Sequence, residues 1–431
     1  MSYSLLPSVT LMEAASTMAS DIIDTQPNLQ AFLRVYLNGG INTYAPFQPP
    51  FQGFFNLTNA NLYGGDWSVV WGPCVYAIES PGTATNSMYV AFSPSQNTYV
   101  VCIAGTNPLS SFDWIYEDFY IFPNYMAPWP LTLPFHPEWR INPIAPNIPA
   151  VSAATAMGVS NLLMREEMRD PNSGYYLGEF LKSKRNGNAT LIFVGHSLAG
   201  ALAPPLALHL YPDPPNSGWH NVFVLSLAGA TPGNAGFANT FITAFPPPAD
   251  STSTDWSWNK DYANHYDVVP HALDKLLRVV KDENTDGNYP SIWGVLQGPG
   301  LDTVGHAVSS AMEIGWFLAD GYYCPIVQSW FSPEWGHFTG QNSPTWSPLP
   351  IYTNGLPLST WSDLATVIVA AHTDQYFRHF GVPPPPWIYK PALNTVRPED
   401  AVLGRLSATR PRFRTGGLKG AVMGRRPPIT R

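Results

Sequence analysis

Ser197, Asp267 and His372, in that chain order, supply the three groups that make an activated nucleophile. A serine hydroxyl attacks poorly until a base removes its proton, and an imidazole does this best when a carboxylate holds its other ring nitrogen. Ser197 lies in Thr190-Leu191-Ile192-Phe193-Val194-Gly195-His196-Ser197-Leu198-Ala199-Gly200-Ala201-Leu202, where a β-branched apolar run meets an alanine- and leucine-rich run through small residues. The pattern predicts a strand, a sharp turn and a helix, with Oγ projecting at the strand's carboxyl end and free backbone N–H groups behind it. Small residues are needed two places before and after such a serine, and Gly195 and Ala199 supply them, with Gly200 one step later. The plainer alternative is a serine N-cap on a buried helix.

Asp267 opens Asp267-Val268-Val269-Pro270, an acid at the end of a predicted strand over 262–266, with proline stopping its continuation. Asp261 and Asp274 compete for the role, but neither precedes a strand-ending proline. Among ten histidines, His196, His265 and His271 adjoin the serine or the acid in sequence and are expected to point elsewhere. His209 and His306 fall on helical runs. His372, on a predicted helix over 361–380, is the choice for the base; His379 comes next, and His337, expected in a loop, third. A tetrahedral intermediate also needs donors for its oxyanion. The expected donors are the N–H of Leu198, directly after the serine, and Thr106, in the turn Gly105-Thr106-Asn107-Pro108 that ends a β-run over 98–104.

The elements that must position these groups alternate along the chain. Helices are predicted over 11–23 and 29–36, and a hairpin over 88–93 and 98–104 through Pro94-Ser95-Gln96-Asn97. Helices follow over 150–169 and 175–184, then the strand before Ser197 and a helix over 198–210, where Pro204-Pro205 predict a kink or an early end. A buried strand over 221–227 comes next. This order, with the chain order serine, acid, histidine, predicts an α/β-hydrolase fold: one domain over residues 1–396, with a mostly parallel central sheet flanked by helices. Ten aromatic residues between Phe112 and Trp139 suggest a lid over 107–140, and residues 281–350, with a helical stretch over 301–318, form an insertion that is either a cap or extra core.

Composition bounds the function. At 45% hydrophobic and 13% aromatic, 431 residues suffice for a large packed core, while 12% charged is about half the usual share. Three cysteines make no disulfide framework, and with no H-E-x-x-H or paired-cysteine spacing neither a metal nor a cofactor is expected. The N-terminus has no basic leader and no apolar run reaches the roughly 18 residues of a membrane span, so the expectation is a cytoplasmic protein, or one exported without a cleaved signal peptide. Residues 397–431 hold nine Lys/Arg and two acids, a net of +7, against −15 for the rest. That tail is expected to be disordered and to be drawn to anionic lipid surfaces; nucleic acid is not an expected partner of so acidic a body.

Several of these stretches resemble the fungal-type class 3 triacylglycerol lipases. Val100-Val101-Cys102-Ile103-Ala104-Gly105-Thr106 is similar to that family's strand and oxyanion loop, with alanine at 104 where arginine is usual. Gly195-His196-Ser197-Leu198-Ala199-Gly200 is similar to its Gly-His-Ser-Leu-Gly-Gly bend. Ala228-Gly229-Ala230-Thr231-Pro232-Gly233-Asn234 resembles its Gly-x-Pro-x-Val-Gly-Asn stretch, and Asp267-Val268-Val269-Pro270 its acid motif. His372-Thr373-Asp374-Gln375-Tyr376-Phe377 resembles its His-x-x-Tyr-Phe with one extra residue. The resemblance implies metal-free ester hydrolysis through an acyl-enzyme and a mobile lid after the oxyanion loop. A serine hydrolase of lipid-like esters is therefore the leading expectation, with a phospholipase, an acyltransferase or a non-catalytic lipase-like binding protein as alternatives.

Overall fold

The computed structural model describes residues 4–40, 52–104, 126–136, 144–248, 256–265, 267–271, 322–332, 337–339, 345–347 and 369–382. Helices α1 (Leu5–Ser16), α2 (Gln26–Asn38) and α3 (Phe54–Thr58) precede strands β1 (Ser68–Tyr76), β2 (Asn86–Ser93) and β3 (Thr98–Ile103). Then come β4 (Met126–Pro128), β5 (Ala150–Ser152), α4 (Ala153–Met164), α5 (Leu177–Lys184), β6 (Thr190–His196), α6 (Leu198–Leu210), β7 (Asn221–Leu227) and α7 (Ala235–Ala244). Strand β8 (Lys260–Asn264) leads into the single turn α8 (Val268–His271), followed by β9 (Gln328–Phe331), β10 (His337–Thr339), β11 (Thr345–Ser347) and α9 (Asp374–His379).

One seven-stranded sheet runs β1-β2-β3-β6-β7-β8-β9. The first three strands pair antiparallel, and every pair from β3 to β9 is parallel. Helices lie on both faces of this mostly parallel sheet, as the α/β-hydrolase expectation requires. The reason is visible in β6, where Leu191 and Phe193 pack into one apolar core with α4, α5 and α6, while Ile192 and Val194 pack into another with α1 and α2. A strand covered on both faces has no polar face to show, which is why its sequence is a continuous apolar run. The β2–β3 hairpin turns through Asn97 in the left-handed region, at φ 45°.

Several predicted bounds change. The first helix starts at Leu5 and gives way to a 3₁₀ turn over Thr17–Asp21. Residues 150–152, predicted as helix, pair with β4 as a strand instead, because Asn234 Oδ1 and Pro232 O satisfy the N–H groups of Ala150 and Ser152. The early end expected as one outcome at Pro204-Pro205 does not occur, and α6 continues to Leu210. Pro204 cannot donate to Gly200 O, and the Ser226 hydroxyl 2.9 Å away does so in its place. His337 begins a short strand paired with β11 rather than sitting in a loop.

Thr106, Asp274, His306, the helix expected over 301–318 and the tail 397–431 lie outside the described residues, as do the lid region 107–140 apart from 126–136 and most of 281–350. Among the described residues, no helix is long and apolar enough to cross a membrane.

Candidate active site

Ser197 sits at the carboxyl end of β6 with φ 60° and ψ −126°, a conformation that a side chain adopts only under constraint. The constraint is packing. A Cβ on Gly195 would lie 2.2 Å from the carbonyl oxygen and 2.8 Å from the Cβ of Ala199, and one on Gly200 would lie 2.6 Å from Leu227 O. The methyl group of Ala199 is therefore accommodated because residue 195 is glycine. Gly200 is what lets α6 approach β7. The plainer alternative fails in one respect, since Ser197 makes no side-chain cap to the helix it precedes. Its Oγ is instead a buried atom without a hydrogen-bond partner among the described residues.

His372 comes to the same end of the sheet from the far end of the chain. Its Nδ1–H lies 2.9 Å from both carboxylate oxygens of Asp267, and both residues are buried. A ring that donates from Nδ1 keeps Nε2 free to accept a proton. Nε2 of His372, like Ser197 Oγ, is buried without a partner among the described residues. No hydrogen bond joins the two; the contact runs through residue 196, whose ring is 4.7 Å from that of His372 and whose Nε2 is 2.5 Å from the backbone oxygen of His372.

Asp267 accepts two further hydrogen bonds, from Val269 N at 3.0 Å and from the hydroxyl of Tyr376 at 2.7 Å. Tyr376 OH in turn accepts from Asn264 N at 3.0 Å, which ties β8 to α9. Burial beside that carboxylate drives the Tyr376 phenol well above its ordinary value, so it stays a donor. The extra residue between His372 and the tyrosine is absorbed at Thr373, where φ −121° and ψ −70° interrupt the helix and let both side chains reach Asp267. The tyrosine was in view in the sequence motif, while Asn264 carried no signal at all.

The competing residues go elsewhere. Asp261 lies in β8 beneath the sheet's end, bonded to Ser226 Oγ at 2.6 Å, Gly229 N at 3.0 Å and Gln328 Nε2 at 3.2 Å, and burial pushes it up to about 6. His379 stacks on Phe331, His265 and His271 both stack on Trp330, and His209 meets the edge of Trp129. Leu198 follows the serine as the first residue of α6, so its N–H is among those left free by the helix start. Glu13 of α1, buried and without a partner for Oε1, faces the backbone N–H of His196; burial pushes it up to about 8, and that N–H offsets part of the rise. Among the described residues, no cluster of His, Cys, Asp and Glu has metal-binding geometry.

A mostly parallel seven-stranded sheet with helices on both faces and a strand-to-helix bend at Ser197 is the arrangement of the α/β-hydrolase fold. Residues 175–276, which carry Ser197, Asp261 and Asp267, match the family described as Lipase (class 3). The fold is similar to that in the crystal structure of M37 lipase, with a TM-score of 0.55 and 21% identity over 87% of this chain and 93% of that one. Lower similarities are to Rhizomucor miehei lipase in its propeptide complex (TM-score 0.32, 18% identity, 49% of this chain and 54% of that one). The lipase from Rhizopus microsporus var. chinensis is comparable (TM-score 0.32, 17% identity, 50% and 59%). No curated protein sequence matches the chain.

Proposed function

We propose that the protein is a serine carboxylic-ester hydrolase of lipid-like esters, with Ser197 as nucleophile, His372 as base and Asp267 as the carboxylate that orients it. The observation that carries this reading is the Nδ1–H of His372 held 2.9 Å from both oxygens of a buried carboxylate, beside a serine on a positive-φ bend. Ser197 Oγ attacks the ester carbonyl while Nε2 of His372 takes its proton, and Asp267 orients the ring and stabilises the imidazolium. The oxyanion is received by the N–H of Leu198 and by Thr106. His372 then returns the proton to the departing alcohol, and a water activated by the same nitrogen hydrolyses the acyl-enzyme.

The test is labelling with a fluorophosphonate, together with hydrolysis of a short soluble ester and of an emulsified long-chain triacylglycerol. The wild-type chain is expected to label at residue 197 and to hydrolyse ester, and Ser197→Ala to do neither, with a loss of at least about 10³-fold. A protein that stays unlabelled would be a lipase-like scaffold without the chemistry. Preference for the emulsion over the soluble ester marks a lipase rather than an esterase.

A further inference from the structure

The backbone at His372 is unusual for a helical residue. Residues 369–372 are helical, Thr373 breaks the run, and the next helix begins its ladder at Thr373, whose carbonyl accepts from Tyr376 N at 3.2 Å. Val369 O keeps its ordinary bond from Thr373 N at 2.9 Å, but Tyr376 N, the i+4 donor to His372 O, goes to Thr373 O instead and leaves the His372 carbonyl without its helical partner. Side chains reach the carbonyls here: Asn264 Nδ2 donates to Ala371 O at 2.9 Å, and the His196 ring reaches His372 O at 2.5 Å. A carbonyl oxygen only accepts, so Nε2 of His196 must carry the hydrogen.

We propose that His196 is a positioning residue: through its Nε2–H it clamps the backbone carbonyl of His372 and so fixes the base against the serine that follows it in the chain. This rests on the catalytic reading above and goes further, because it gives the residue beside the nucleophile a task of its own. The clamp is short in sequence at one end, where residue 196 is bonded directly to residue 197, and long at the other, spanning 176 positions. The ring cannot drift, since it also meets Tyr376 edge-on at 5.4 Å and 83°. Burial, and then the neighbouring His372, hold the His196 ring neutral. Neutrality matters, because a cation 4.7 Å away would oppose the imidazolium that must form on His372.

Two variants of the full chain separate positioning from packing. His196→Phe keeps the ring volume and loses the donor, whereas His196→Gln loses volume and keeps an N–H that reaches as far as Nε2. The expected result is that His196→Phe leaves KM unchanged and lowers kcat and the fluorophosphonate labelling rate about 10- to 100-fold, while His196→Gln recovers most of the loss. The low-field Nδ1 proton of His372 should persist in wild type and His196→Gln and shift or vanish in His196→Phe. The opposite order, with Phe as active as or more active than Gln, would make His196 a packing residue and overturn the proposal. If His196→Phe does not fold, the wild type decides: the ¹⁵N shift of His196 must report a protonated Nε2, and an unprotonated one sinks the clamp. A wild-type protein that resists the fluorophosphonate would defeat the catalytic reading while the two nuclear resonance measurements still judged the clamp.

Discussion

Asp267 is held by more than the histidine. A carboxylate buried with a net charge needs its lone pairs filled, and here the Tyr376 hydroxyl and Val269 N–H do that while Nδ1–H of His372 takes the remainder. Tyr376→Phe removes the donor to Asp267 and the acceptor of Asn264 N while keeping the ring. Kinetics on a soluble ester should show kcat lowered about tenfold at unchanged KM, and urea unfolding should show a loss of about 1–2 kcal/mol. Wild-type kcat in that variant would mean that the tyrosine supports the fold but not the acid. The bend at Ser197 and the place of Asp267 just past β8 were legible in the sequence because each sits in a local pattern of its own. The histidine was legible as the first choice of ten, ahead of His379 and His337, though nothing in a local stretch can show which ring turns toward residue 267.

At the level of elements, α6 shows how a rule of propensity is overridden. Two prolines should end a helix, yet the carbonyl that Pro204 leaves unserved is met by Ser226 from the adjacent strand. That hydroxyl has one hydrogen and two acceptors, Gly200 O at 2.9 Å and Asp261 Oδ1 at 2.6 Å, and both contacts are satisfied when Asp261 carries the proton. Ser226→Ala should therefore destabilise the protein by about 1–3 kcal/mol at pH 5, read by urea unfolding, since it orphans a buried carbonyl. Adding Pro204→Ala, which restores an N–H to serve Gly200 O, should recover part of that loss. Full additivity of the two losses would show that the serine does not stand in for the missing donor.

For the molecule as a whole, two buried acids set an uncommon pH dependence. Glu13 rises from 4.5 to about 8 and Asp261 from 3.8 to about 6, both because burial disfavours the charged form. Each is protonated more readily folded than unfolded, so its contribution is complete below the unfolded value and is lost as pH climbs through the folded one. Stability should thus fall from about pH 4 to pH 8, by about 3 kcal/mol for Asp261 and about 5 kcal/mol for Glu13. Chemical unfolding across that range, compared with Glu13→Gln, checks it: the variant should keep only the fall up to about pH 6 that belongs to Asp261 and be flat from there to pH 8. An identical slope in the variant would remove Glu13 from the account.

The sequence by itself determined the alternating helices and strands, the bend at Ser197 and the acid after β8, because each is written in a contiguous stretch whose residue types answer to local sterics and burial. Gly195 and Gly200 could be read as small residues at a tight turn without knowing what they touch. Only the tertiary structure decided which carboxylate faces an imidazole, since Asp261 near the start of β8 and Asp267 past its end differ in whether Ser226 or His372 meets them. It also decided that Pro204 does not break α6, that His196 turns back onto the base and that Asn264 anchors the residue before it. These are contacts between groups far apart in the chain, and their hydrogen-bonding needs are met by partners that no local pattern names.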